Sequence, residues 1–187
     1  MTERIHSFTD PGALLSTAHE LDGGLCVRLR LTRPTDTRRV RTFLEGLSAE
    51  TLQRRFFTAM PVIDERTLRH FTFYDPRERF VVAATTPVGG TEEVVGLADL
   101  SLTSVGMGEL GLVVGDAWQG RGVGSLLADV IGTLALRAGV GHLKAEMLET
   151  SPAMLGLLRR IGPTVEAVED GNPVAYTRLE AARRRAA

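Results

Sequence analysis

The chain has 187 residues, 43% of them hydrophobic and 24% charged, with a formal net charge of −1; these values describe one globular domain with a sizeable core and no overall field to draw in nucleic acid or an anionic membrane. A lone cysteine, Cys26, excludes an internal disulfide, and His6, His19, His70 and His142 show no metal-ligand spacing with it or with one another, so no metal is expected. No apolar stretch approaches the roughly 20 residues that cross a bilayer, and "MTERIHSFTDPG" lacks the apolar centre of a secretory signal, which makes the cytoplasm the expected location.

Residues 1–23 are polar with scattered Pro and Gly and read as a loosely held lead-in that ends at "LDGG". A domain is expected over 24–179. "LCVRLRL" (25–31) alternates as a half-buried strand does, and "TRPTD" opens a helix whose buried face is Val40, Phe43, Leu44 and Leu47. Short amphipathic helices follow over 48–57 and 64–73. "RFVVAATT" (79–86) and "EVVGLADLSL" (93–102) flank a "PVGGTE" turn and form an antiparallel hairpin, and "GELGLVVG" (108–115) is the next strand. The clearest helix comes next, with Val123, Leu126, Leu127, Val130 and Leu134 at the helical interval. A strand is expected over 142–148. A helix started by Ser151 and Pro152 then turns Met154, Leu157, Leu158 and Ile161 inward, and short strands lie near 164–168 and 173–178. Residues 180–187 are expected to be a basic, solvated tail.

Between the strand at 108–115 and the clearest helix the chain reads "VVGDAWQGRGVGSLL" (113–127). The first N–H groups of a helix lack internal partners and point at whatever lies there, and phosphate is the natural guest. Glycines at 120, 122 and 124 let backbone approach closely, while Arg121 supplies a charge that a diphosphate can pair with. "GRGVGS" has neither the Lys-Ser/Thr of a Walker loop nor the third glycine of a dinucleotide fingerprint. A tight turn without a ligand is the plainer alternative. Trp118 reads as a packed or rim aromatic.

This turn resembles the acyl-CoA pyrophosphate loop of the GNAT (GCN5-related N-acetyltransferase) superfamily, whose pattern of Gln or Arg, two residues, Gly, any residue, then Gly or Ala is matched by Gln119, Gly122 and Gly124. The order of elements from about 25 to 178 resembles the superfamily too. "RPTDTRRVRTFLEGLSAETLQRRFF" (33–57) resembles the entry segment of bacterial protein-lysine acetyltransferases. The resemblance implies an α/β (α+β) GNAT fold: a central, mostly antiparallel mixed sheet of about six to seven strands flanked by helices, with a splayed strand pair binding acyl-CoA.

It further implies that the pantetheine arm lies along Leu112, Val113 and Val114, and the diphosphate against Gln119, Gly120, Arg121, Gly122, Val123, Gly124 and Ser125. The Val113 N–H is the expected donor to the thioester carbonyl. A lysine acceptor with a pKa near 10.4 lies about 3.4 units above neutrality, so deprotonating it costs roughly 4 to 5 kcal/mol. Glu109, on the face of Gly111 and Val113 by period-two alternation, resembles the superfamily's general base, with a solvated edge carboxylate as its plainer reading. Asp99 is the reserve base, and Glu146 and Glu149 stand where they would attract an incoming cation.

Two places depart from the family pattern. Ser151 and Leu158 occupy the positions of the usual Asn and proton-donating Tyr, and "GP" at 162–163 replaces Gly-Phe. Tyr176 is a rim residue that remains available as an acid, and a thiol pKa near 8.5 makes the thiolate a fair leaving group without one. No side chain needs to be acylated on the way, and Cys26 is expected to be a small buried residue.

The leading expectation is therefore an acetyl-CoA-dependent N-acetyltransferase acting on a primary amine, with a protein lysine ahead of a small-molecule amine. A non-catalytic acyl-CoA-binding regulatory module is the alternative. Nucleic acid is not an expected partner, because Arg38, Arg39, Arg41, Arg54 and Arg55 are spread over helix faces without an aromatic platform. The acceptor, the acyl length and a homodimeric state stay open.

Overall fold

The computed structural model describes Leu15 and residues 18–21, 23–58, 62–104 and 106–180; the expectations for the start of the lead-in and for the tail at 181–187 lie outside the described residues. The strands are β1 (Ala18–Leu21), β2 (Leu25–Leu31), β3 (Arg79–Val88), β4 (Thr91–Ser104), β5 (Met107–Val114), β6 (His142–Glu146), β7 (Thr164–Glu169) and β8 (Asn172–Arg178). They make one eight-stranded sheet in the order β1-β2-β3-β4-β5-β6-β8-β7. Among the described residues the β5–β6 ladder alone is parallel; the others are antiparallel.

The strand beyond the expected six to seven is β1, inside the stretch read as lead-in. "AHEL" is too short to show a period, and it becomes a strand by pairing with β2, Ala18 opposite Arg28 and Leu21 opposite Leu25. On β2 the alternation turns Leu25, Val27 and Leu29 inward, so Cys26 is exposed, contrary to the expected burial.

Helices cover both faces of the sheet. On one side lie α1 (Thr37–Glu45), α2 (Ala49–Phe56) and α3 (Glu65–Thr72); α4 (Val123–Arg137) and α5 (Pro152–Ile161) lie on the other. Ser48 caps α2 by accepting from the Thr51 N–H, and Asp64 caps α3 through the Thr67 N–H. Helix α1 stops at Gly46, so Leu47 falls just past its end but still packs with Val40, Phe43 and Leu44.

Each face has its own core. Val40, Leu44, Leu68, Phe71, Val81, Leu97 and Val113 fill one; Leu29, Leu100, Leu127, Ile131, Leu143, Leu155 and Leu158 belong to the other. Fully burying one such side chain contributes about 1.5–3 kcal/mol. Helix α4 is wedged between the sheet and α5, so its buried set widens to include Ala128, Ile131 and Ala135, while Leu126 and Leu134 are only half-buried. Asp129 is buried there too, held by the Arg160 guanidinium of α5 at 2.7–3.0 Å.

Candidate active site

Strand β5 leads through Gly115 and a 3-10 turn (Asp116–Trp118) to Gln119, Gly120, Arg121 and Gly122, where α4 begins. Gly122 is the N-cap, at φ +89°, and offers no side chain to the helix. The first α4 amide bonded back to the turn is Leu126, on the Gly122 carbonyl at 3.0 Å. The amides of Val123, Gly124 and Ser125 thus begin a helix without a side-chain cap, beside open space at Gly120, where an added Cβ would meet nothing within 4 Å. Arg121 lies over the Trp118 ring at 5.1 Å, so Trp118 carries the cation at the rim of the turn.

The turn is braced from α2. Asp116 accepts from the Ser48 N–H at 2.9 Å, the Ser48 hydroxyl at 2.7 Å and the Thr51 hydroxyl at 2.7 Å. Burial pushes the Asp116 carboxyl up, and these hydrogen bonds outweigh it, holding the group below the usual carboxylate range. Gln119 turns its amide back onto the β5 backbone, donating to the Val114 carbonyl at 3.1 Å.

Beside the turn the sheet forks. The β5–β6 ladder pairs Met107 with His142, Gly108 with Leu143 and Glu109 with Lys144, and there it ends; β6 continues against β8 alone. Backbone groups alternate between the two edges of a strand. The Gly115 N–H bonds the Val95 carbonyl on β4, whereas the Gly106 carbonyl accepts from Gly141 and His142 on the other side. That parity turns the backbone of Leu112 and Val114 into the fork. Val113, the expected donor, points its N–H at β4 instead, and its side chain is part of the core.

The α1–α3 face of the fork carries a compact ion cluster. Asp99 on β4 is 5% exposed and binds the Arg55 guanidinium of α2, with His70 Nε2 of α3 at 3.3 Å from its other oxygen. Burial pushes the Asp99 carboxyl up, but the Arg55 charge and His70 outweigh it and leave it below the usual range. Asp99 is therefore a committed counter-ion, which corrects its reading as a reserve base. The guanidinium lies on the bare Cα of Gly111, where an added Cβ would be 2.7 Å from Arg55 Cζ. Glu109 stands two residues before Gly111 on the same face and is exposed.

On the far side of the fork, Lys144 Nζ donates to Glu169 at 2.8 Å, and the Tyr176 hydroxyl donates to the other oxygen of Glu169. The Glu169 hydrogen bond raises the Tyr176 phenol, which keeps it protonated at neutral pH. Glu146 accepts from Asn172 at 3.1 Å, and Glu149 pairs with Arg54 of α2 at 2.8 Å. Ser151 caps α5 through the Met154 N–H, and Leu158 is fully buried, so neither faces the fork as an acid. Arg55 and His70 had no motif to mark them, and only the fold brings them to Asp99. Among the described residues no group of three or more His, Cys, Asp or Glu is placed to hold a metal, and no helix is long and apolar enough to cross a membrane.

The forked sheet, the bare helix start and the exposed carboxylate at the fork define a GNAT-type domain. The chain belongs to that family: residues 46–163 match the model described as Acetyltransferase (GNAT) family. It is similar to Acetyltransferase Pat of Mycolicibacterium smegmatis, 32% identical over 139 residues, which is 72% of this chain and 40% of that protein. The chain thus spans about two fifths of the length of this curated relative. Its structure is similar to the GNAT domain of S. lividans PAT, with 27% identity, a TM-score of 0.77 and coverage of 87% of this chain and 96% of that one. A phosphinothricin acetyltransferase from Sinorhizobium meliloti in complex with AcCoA shares the fold at 18% identity and a TM-score of 0.62, over 82% of this chain and 88% of that one.

Proposed function

We propose that the domain transfers an acetyl group from acetyl-CoA to a primary amine, foremost a protein lysine, with Glu109 as general base. The observation that carries this reading is the uncapped start of α4 at Gly122, opening beside a sheet that parts after Glu109 and Lys144. Amides of Val123, Gly124 and Ser125, with Gly120, Gly122 and Arg121, suit a diphosphate, and the edge of Leu112 and Val114 suits the pantetheine amides. Likeness to Acetyltransferase Pat and to the GNAT domain of S. lividans PAT supports acetyl transfer, the resemblance of residues 33–57 to the entry segment of protein-lysine acetyltransferases puts lysine first, and the AcCoA complex of the Sinorhizobium meliloti enzyme supports the coenzyme. The cytoplasm, where both are at hand, is the compartment this reading assigns.

In this reading a neutral amine attacks the thioester carbonyl, and Glu109 takes its proton directly or through water. The edge N–H groups of Leu112 and Val114, rather than that of Val113, meet the developing oxyanion. The thiolate departs without a dedicated acid, which fits the burial of Leu158. The Arg55 and Lys144 cations, each anchored by its own carboxylate, flank the carboxylate of Glu109 along β5 and on β6.

The test is Glu109→Gln, followed by calorimetry with acetyl-CoA and by thiol release in the presence of lysine peptides and small amines. Coenzyme affinity is expected to hold while turnover falls by about 10² to 10⁴. Full turnover in the variant removes Glu109 from the mechanism. Coenzyme binding with no acceptor-dependent thiol release from the unaltered protein would point to an acyl-CoA-binding module.

A further inference from the structure

Among the 22 lysine and arginine residues of the chain, Lys144 is the single lysine. The fold sets it at the point where the sheet divides: Glu109 and Lys144 are the last register partners of β5 and β6, and partners in a ladder present their side chains to the same face. Its side chain is 30% exposed, with Nζ resting on Glu169 Oε2 at 2.8 Å. Tyr176, its partner on β8, donates to the other oxygen of Glu169, and Glu146 lies two residues further along β6. The residue that bears the one ε-amine of the chain is therefore the register partner of the residue assigned to take a proton from an amine, with Nζ itself held on Glu169.

We propose that Lys144 is a site of self-acylation, receiving the acetyl group of the bound thioester on its own Nζ. This rests on the acetyl-transfer reading above. The neutral Nζ attacks the thioester carbonyl; a C–N bond forms and the C–S bond breaks. Coenzyme A leaves as the thiolate, and the proton lost by the amine passes to Glu109 and on to water. The flexible four-carbon stem allows Nζ to leave Glu169 for the fork. While it rests on Glu169 the hydrogen bond and charge of that carboxylate keep it an ammonium, so the reaction is slow; it stops after one acetyl group because the amide formed is no longer a nucleophile and the chain has no second lysine. The resulting amide carries no charge. Glu169 then loses its cation, and this wall of the fork gains one net negative charge, which favours a cationic acceptor.

The test incubates the full chain with acetyl-CoA alone, follows intact mass over time and locates the modification by peptide mapping. One acetyl group on Lys144 is expected, absent in Lys144→Arg. Glu109→Gln is expected to slow it by at least about tenfold, and Glu169→Gln to speed it by about tenfold through a larger neutral fraction. Equal rates in Glu109→Gln and in heat-denatured protein would identify unassisted chemical acylation and overturn the proposal. An unmodified Lys144 in a preparation that acetylates a free amine overturns it while leaving the transferase reading intact; failure of both reactions overturns both.

Discussion

The two sides of the fork are built by different means. On the side assigned to the coenzyme the chain withdraws its side chains: Gly120 faces open space, Gly122 begins α4 without a side-chain cap, and the groups presented are backbone amides. On the side assigned to the acceptor, charged side chains crowd together and each is fixed by a partner distant in sequence. Arg55 reaches Asp99 across 44 positions, His70 reaches it across 29, Arg54 reaches Glu149 across 95, and Lys144 reaches Glu169 across 25. A backbone site for a constant ligand needs only local conformation. A side-chain site for an acceptor needs the whole fold to assemble it, and it can be altered one residue at a time without disturbing the first.

That separation can be broken by substitution. The largest effect is expected at Asp99→Ala, which leaves the half-buried Arg55 without its counter-ion. Removing one partner of a buried pair costs about 3–5 kcal/mol, and denaturant unfolding measures it; a loss below about 1 kcal/mol would show that the cluster does not hold α2 and α3 to the sheet. The same carboxyl sets an acid limit. Its folded-state pKa is depressed, so its contribution is complete above the ordinary carboxylate value and disappears as pH falls through the lower folded value. Melting temperature should therefore drop below about pH 4, less steeply in Asp99→Asn, and identical acid profiles would assign the limit to other carboxylates such as Asp36.

Gly122→Ala tests the coenzyme side. A Cβ in the left-handed region costs about 1–2 kcal/mol; the methyl group would meet only Leu21, at 3.6 Å, so the strain falls on the backbone that carries the amides. Acetyl-CoA affinity, read by calorimetry, should weaken by about tenfold or more with the Asp99 cluster untouched; unchanged affinity would place the diphosphate elsewhere. Ser48→Ala removes both the α2 cap and one donor to Asp116, with an expected loss of about 1 kcal/mol and a mild weakening of coenzyme binding. If only stability moves, the brace from α2 to the turn is structural. The smallest effect belongs to Arg54→Ala, since both partners of its pair with Glu149 are more than half exposed. Stability should change by no more than about 1 kcal/mol and the change should vanish in high salt.

Much of the fold was legible because its signals are local. The alternation of β2, the hairpin of β3 and β4, the Ser151-Pro152 start of α5 and the glycine turn before α4 each announce themselves within a few residues. Short β1 carries no period, and it exists only because β2 offers an edge. Leu155, buried where the helical interval favoured Met154 and Leu157, joins Leu158 in the core between α5, α4 and the sheet. Asp129 reads as an ordinary polar position on α4 until Arg160 is found beside it on α5.

The sequence by itself determined the family, the glycine turn before α4 and Glu109 as the carboxylate on its strand, because glycine conformation, helix starts and strand alternation act over a few residues. Tertiary structure decided which backbone edge faces the fork, that Asp99 is a counter-ion for Arg55 and His70, and that the single lysine is the register partner of Glu109. Strand register and ion pairing join residues tens of positions apart, and no local property of the chain encodes which of them will meet.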